Sequence, residues 1–155
     1  MSVRTGIGVD SHRFAAGRPL VLGGVTVPHE AGLAGHSDAD VLAHAIIDAL
    51  LGAAGLGDIG QLFPDTDPAW EGADSMALLR DVVGRVREAG WDVEHVDATV
   101  MMERPRLAPH REAIHASLSA ALRSVNVKAT TGERMGFVGR GEGVAALAVA
   151  TLRAR

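Results

Sequence analysis

Cysteine does not occur among the 155 residues. Disulfides and thiolate metal ligands are therefore excluded, and the chain fits a reducing compartment. Aromatic residues make up only 3%, so the 47% apolar content must fill an aliphatic core. Positive charge is not in excess. A net charge of −4 argues against general nucleic-acid affinity, and a phosphate ligand would need a local basic pocket. No apolar run reaches the roughly 18 residues of a membrane span. Met1-Ser2-Val3-Arg4 leads straight into a strand-like stretch with no signal-peptide pattern. The expectation is a cytoplasmic protein with no membrane partner.

Glycine, by contrast, is plentiful: 19 of 155 residues, against an average of about 7%. It clusters in Gly23-Gly24, Gly55-Leu56-Gly57 and Gly139-Arg140-Gly141-Glu142-Gly143, where backbone-defined loops are expected. The length fits one domain covering 1–155.

The stretch with most chemistry is Gly8-Val9-Asp10-Ser11-His12. On an extended backbone, positions i and i+2 point to the same side. A strand end would thus present Asp10 and His12 together. His44, in a later helical run, offers a third ligand. Asp/His/His with a fourth position open is the shell of a catalytic zinc site rather than a structural one.

Residues 3–9 read as a first strand. Leu20-Val21-Leu22 and Val25-Thr26-Val27 flank a two-glycine turn and read as a hairpin. Residues 28–37 read as a loop. Ser37 is the expected N-cap of a helix running to about Gly55. Its apolar face is Val41, Leu42, Ala45, Ile46, Ala49 and Leu50. Asp40, His44 and Asp48 form a stripe at i, i+4, i+8, with Ile47 and Leu51 in the same arc, which reads as the wall of a site. One of the two aspartates is expected to accept from the free ring N–H of His44.

A long loop covers 55–68, and loops of that length are often functional. Asp74-Ser75 opens a second helix over about 74–89, stopped by Gly90. Residues 91–102 read as a strand, 103–109 as a proline-bracketed loop, 109–123 as a third helix, and 125–131 as a strand. Residues 136–143 read as a glycine-rich loop. Pattern alone leaves 144–153 open between helix and strand. The fold class is α/β of the α+β type: a single mixed β-sheet covered on one face by helices. The uncovered face would need burial, so self-association is expected.

Taken together, the polar clusters are Asp10-x-His12; His36-Ser37-Asp38-x-Asp40; His44; Gly57-Asp58-Ile59-Gly60; Phe63-Pro64-Asp65-Thr66-Asp67; Lys128 to Glu133; and Gly139 to Gly143. In this order and spacing the chain closely resembles the 2-C-methyl-D-erythritol 2,4-cyclodiphosphate synthases of non-mevalonate isoprenoid biosynthesis. The resemblance runs from Gly8 to about Gly143. It implies a phosphorus–oxygen lyase whose substrate is a cytidine diphosphate-linked sugar-alcohol phosphate, 4-diphosphocytidyl-2-C-methyl-D-erythritol 2-phosphate. The 2-phosphate attacks the β-phosphorus, CMP leaves, and a cyclic diphosphate remains.

Carried over residue by residue, the resemblance gives Asp10, His12 and His44 a Zn²⁺ or other divalent transition metal, with a β-phosphate oxygen in the open position. Glu133, next to Gly132, would hold Mg²⁺ or Mn²⁺ against the α- and β-phosphates. His36 and Thr131 would stabilise the transition state, and Ser37 would contact substrate. Asp58, Ile59, Gly60, Phe63, Pro64, Asp65, Thr66 and Asp67 would take the methylerythritol part. Met102, Glu103, Arg104, Pro105, Arg106, Leu107, Ala108 and Thr130 would frame the cytidine. Lys128 and Arg106 are candidates for phosphate neutralisation.

The resemblance further implies a homotrimer with active sites between subunits, the segments near 102–108 and 130–133 coming from a neighbouring chain. Phe137, Arg140 and Glu142 would lie near the threefold axis, where a cavity could admit an isoprenoid diphosphate, Arg140 being its anion contact. The final run would be a strand. Where relatives usually carry Thr or Asn this chain has Gly132, so a looser loop is expected around Glu133. The rival readings are a phosphohydrolase using zinc-bound water and a trimeric isoprenoid-diphosphate-binding protein with a structural zinc.

Overall fold

The computed structural model describes residues 2–155. Its first strand, β1, spans Val3–Ala15, well past the expected 3–9. The polar residues after Val9 hid the strand's continuation, but their period-two alternation persists. β1 pairs antiparallel with the last strand over most of its length, from Val3 opposite Arg153 to Arg13 opposite Gly143.

The hairpin is present as β2 (Leu20–Leu22) and β3 (Val25–Val27). It forms a separate two-stranded sheet, which corrects the expectation of one sheet. The expected loop after it contains a short strand, β4 (Gly32–Leu33), paired with the end of β1.

Helix α1 spans Val41–Ala54 and ends on Gly55. Its N-cap is Asp40, not Ser37. The Asp40 carboxylate accepts from the Ala43 amide at 3.0 Å and from the hairpin-turn amides of Gly23 and Gly24 at 2.9 and 2.8 Å. Ser37 is excluded from capping because the chain passes through a positive φ of 56° at Ala39 before the helix begins. All six residues of the expected apolar face are buried, and so are Ile47 and Leu51. Such a helix is covered on nearly all sides, here by the sheet and by a neighbouring helix.

Short helix α2 (Ile59–Leu62) and a tight turn at Pro68–Trp70 interrupt the long loop. Helix α3 (Ser75–Glu88) has Asp74 as its N-cap, as expected. Strand β5 is Trp91–Met101. Helix α4 is shorter than expected, Arg111–Ser119, after a tight turn at Ala108–His110. Only Ile114 and Leu118 of it are buried. Strand β6 spans Val125–Thr130. The expected glycine-rich loop holds one turn of helix, α5 (Gly136–Gly139). The last run is a strand, β7 (Gly143–Ala154).

The main sheet has the order β4-β1-β7-β5-β6. The β5–β6 pair is parallel and the others are antiparallel, so the sheet is mixed. Alternation on β7 buries Ala146, Ala148, Ala150 and Leu152 on the side of α1. The other side leaves Val3, Ile7, Val9, Leu147 and Val149 exposed, with Ile7 opposite Val149 and Val9 opposite Leu147. Among the described residues, no helix is long and apolar enough to cross a membrane.

One packing detail brings the polar ends of β1 and α1 together. Gly6 and Gly8 share the helix-facing side of β1 with Asp10 and His12, two residues apart each time. A Cβ on Gly8 would fall 1.8 Å from the Ala45 carbonyl oxygen, and one on Gly6 would fall 2.2 Å from that of Ala49. Two bare glycines therefore let α1 lie directly on the strand. That close approach carries His44 to the side chains at the strand's far end.

Candidate active site

Asp10 and His12 project from β1 and His44 from the first turn of α1. One ligand atom from each lies within 4.8 Å of the others. His12 Nε2 is 2.9 Å from Asp10 Oδ2, His44 Nδ1 is 3.1 Å from the same oxygen, and the two ring nitrogens are 3.4 Å apart. Tetrahedral zinc, with bonds of about 2.0–2.1 Å, separates its ligand atoms by roughly 3.3 Å. The donor set and spacing fit such an ion.

Burial works against charge on Asp10. The hydrogen bonds to His12 and His44 outweigh it and bring the carboxyl down to about 2. Burial likewise disfavours charge on His12, but Asp10 and the Ala34 carbonyl together raise its pKa above the usual 6.5.

Each ring has a second partner. His12 Nδ1 is 2.8 Å from the Ala34 carbonyl oxygen. His44 Nε2 is 2.8 Å from Ser75 Oγ and 3.2 Å from Ser37 Oγ. Neither the Asp40 nor the Asp48 carboxylate bonds the His44 ring, which overturns the expectation that one of them accepts from its free N–H. Asp40 is fully buried under the hairpin, and burial pushes its carboxyl up to about 6 against the pull of three amides. Asp48 instead accepts from the Ile59 amide at 3.0 Å and so anchors α2. The helical spacing was right, but the two acids reach other segments.

The trio opens into a cavity of about 480 Å³, whose walls include His36, Ser37, Ile59, Gly60, Phe63, Pro64 and Asp65. Gly35, Trp70 and Leu78 complete it; their types carry no chemical signal that a sequence reading could use. Phe63 packs edge-on against Trp70 with ring centres 4.9 Å apart. His36 Nε2 is 3.0 Å from the Asp67 carbonyl oxygen. Arg18 was also missed. It donates to the carbonyls of Gly35 and Ser37 at 2.9 and 2.8 Å, clamping the segment that carries His36. Asp58 caps α2 and is exposed, beside the cavity rather than in its wall. Thr66 and Asp67 lie outside the wall as well, and the Asp67 carboxylate caps the turn that follows.

The remaining predicted residues gather elsewhere. Met102, Glu103, Arg104, Arg106, Leu107, Ala108, Thr130 and Thr131 line a separate cavity of about 500 Å³. It lies by β6, three strands from β1, or about 14 Å at the usual strand spacing. Glu133 follows it on an exposed loop, away from the Asp/His/His group. The loop is tight rather than loose: a Cβ on Gly132 would fall 2.5 Å from the Gly139 nitrogen and 2.9 Å from the Met135 carbonyl oxygen. The Gly132 amide also donates to Glu103 Oε1 at 3.0 Å. Lys128 is paired with Asp97 at 2.8 Å and Arg140 with Glu142 at 2.6 Å. Phe137 lies with Ser11 and Glu142 in a third depression.

The chain is similar to known proteins over nearly its whole length. The 2-C-methyl-D-erythritol 2,4-cyclodiphosphate synthase of Salinibacter ruber is 59% identical over 155 residues, covering 97% of this chain and 99% of the relative. The solved structure of the bifunctional IspDF of Campylobacter jejuni superposes with a TM-score of 0.95 at 45% identity. It covers 99% of this chain, which spans only 43% of that longer protein. A CDP-bound 2C-methyl-D-erythritol-2,4-cyclodiphosphate synthase superposes with a TM-score of 0.89 at 42% identity, covering 97% of this chain and 100% of the other. The YgbB family profile matches residues 3–153, and the chain therefore belongs to the YgbB family.

Proposed function

We propose that the chain is a 2-C-methyl-D-erythritol 2,4-cyclodiphosphate synthase, working in isoprenoid precursor biosynthesis as a CMP-forming lyase. The observation that carries this reading is the Asp10, His12 and His44 group at the mouth of the first cavity. The names of the relatives agree with it. An oxygen of the substrate's 2-phosphate forms a bond to the β-phosphorus. The bond from that phosphorus to the bridging oxygen breaks, and its electron pair leaves with CMP.

The difficulty of this step is charge: one phosphate must approach another. Asp10, His12 and His44 would hold a divalent ion, which would supply Lewis-acid stabilisation of the phosphoryl oxygens. Glu133 would hold a harder second ion, Mg²⁺ or Mn²⁺, which would add charge neutralisation for the phosphates. His36 and Thr131 donate hydrogen bonds as charge builds. Ser37, at the cavity wall, binds a phosphate oxygen. The walls from Ile59 to Asp65 hold the substrate folded on itself, which turns ring closure into a matter of positioning. The cytidine sits in the second cavity, between Met102 and Thr131.

The two cavities share no wall residue and lie three strands apart in the sheet. We infer a homotrimer in which the second cavity of one subunit faces the first cavity of the next. The exposed apolar stripe of Val3, Ile7, Val9, Leu147 and Val149 supports this, since such a contiguous patch favours association.

Phosphorus NMR of the products, with and without chelator, tests the reaction. The cyclic diphosphate and CMP should appear together and disappear with the metal. Release of orthophosphate with no cyclic product would sink the reading in favour of a hydrolase.

A further inference from the structure

We infer that Ser75 and Asp38 decide which nitrogen of His44 is offered to the metal; the inference rests on the metal reading above. A neutral imidazole ligates through one nitrogen and keeps its proton on the other, so the partner of that second nitrogen sets the first. For His12 the partner is the Ala34 carbonyl oxygen at 2.8 Å. A carbonyl only accepts, so Nδ1 carries the proton and Nε2 is free to bind.

His44 is mounted the other way round. Its Nδ1 faces Asp10 Oδ2 and His12 Nε2, at 3.1 and 3.4 Å. Its Nε2 faces Ser75 Oγ at 2.8 Å. A hydroxyl both donates and accepts, so this contact alone would leave the proton undecided. Asp38 decides it. The Ser75 hydroxyl donates to Asp38 Oδ1. The Ser75 amide donates to Asp38 Oδ2 at 3.0 Å, and the Asp40 amide donates to Asp38 Oδ1 at 3.2 Å. With its proton committed to a carboxylate, Ser75 Oγ offers His44 only lone pairs. Nε2 must then be the donor, and Nδ1 keeps its own lone pair for the ion.

Burial makes the arrangement hard to replace, because Ser75 is fully buried and bulk water cannot take its part. Ser37 is the competing partner. Its Oγ is 3.2 Å from His44 Nε2, farther than Ser75, and it accepts from the Ala39 amide. One ring N–H serves the nearer oxygen. Ser37 therefore keeps its hydroxyl proton for whatever occupies the cavity it lines. Ser75 and Asp38 are positioning residues, acting through His44 from outside the cavity wall.

The test is zinc affinity of the full chain, by chelator competition, for wild type, Ser75→Ala, Asp38→Asn and Ser75→Thr. Ser75→Ala and Asp38→Asn should each bind zinc about ten- to a hundredfold more weakly. Ser75→Thr, which keeps the hydroxyl, should recover most of the loss. Long-range ¹H–¹⁵N spectra of the zinc-loaded wild type should show His44 protonated at Nε2. The relay is overturned if both disabling variants bind zinc within about twofold of wild type, or if His44 ligates through Nε2. Failure of the metal reading would show earlier and differently, as a wild type that binds zinc no better than its Asp10→Ala variant. Asp38→Asn leaves Ser75 in place, so the test stands even where Ser75→Ala fails to fold.

Discussion

The two cavities are nearly equal in size, about 480 and 500 Å³, and differ in how their polar groups are held. In the first, Asp10, His12, His36 and His44 are each tied to a partner far away in sequence. In the second, among the described residues, Glu103 is the only lining side chain bonded to a distant segment, through the amides of Gly132 and Arg134. The hydroxyls of Thr130 and Thr131 bond only within two residues along the chain. A metal centre tolerates errors of a few tenths of an ångström at most, so its ligands must be fixed before anything binds. A nucleotide pocket can order its side chains around the ligand. On the proposed function, the contrast would separate the half that does chemistry from the half that holds a leaving group.

The sharpest way to break this contrast is Asp10→Ala. It should remove the metal and cut turnover about a thousandfold or more, since an ion of this kind supplies several kcal/mol to a phosphoryl transition state. Metal content by atomic absorption, with initial rates, checks both halves of that statement. A variant that keeps its rate would show that the fixed half is only structural.

Next in size is Ile7→Asp, which puts a charge in the apolar stripe. Sedimentation should show monomers, with activity down about a hundredfold, or about 3 kcal/mol, and zinc retained. Full activity in a monomer would mean that the two cavities serve one substrate within one chain.

The metal-free chain gives a third measure of how tightly the first half is bound together. Asp10 falls from its ordinary 3.8 to about 2, so its contribution is present above pH 3.8 and is lost as pH falls toward 2. His12 is raised above 6.5, so its contribution is present below 6.5 and is lost as pH rises past the raised value. Together they should stabilise the metal-free chain most between about pH 4 and 6.5, the Asp10 part being about 2 kcal/mol. Melting temperatures in chelator, wild type against Asp10→Asn, should differ most in that window and converge near pH 2.

The smallest effect belongs to the second cavity. Arg106→Ala should raise KM several-fold with kcat unchanged, about 1 kcal/mol, because an exposed charge contributes little. A loss in kcat equal to that in KM would place Arg106 in the chemistry instead.

How far the molecule could be read without coordinates follows this same division. The ligand trio was legible because Asp10-x-His12 obeys the strand period and His44 sits in an amphipathic helical run. The hairpin, α3, β5 and β6 were legible from alternation and turn chemistry. Ser75 was read only as a helix start, and Asp38 as part of a polar motif. Their role depends on α3 approaching α1, which no local pattern encodes. Asp40 and Asp48 carried the right spacing and were assigned the wrong partners, because spacing fixes a face of a helix and not what lies against it.

The linear order of residues determined the mixed α+β class, the Asp/His/His group and the aliphatic core, since each depends on residue type and short-range period. Only the tertiary structure decided which serine and which aspartate stand behind His44, that α1 rests directly on the glycines of β1, and that the two cavities lie apart. These are contacts between segments distant in the chain, set by close packing, and packing is a property of all the neighbours at once.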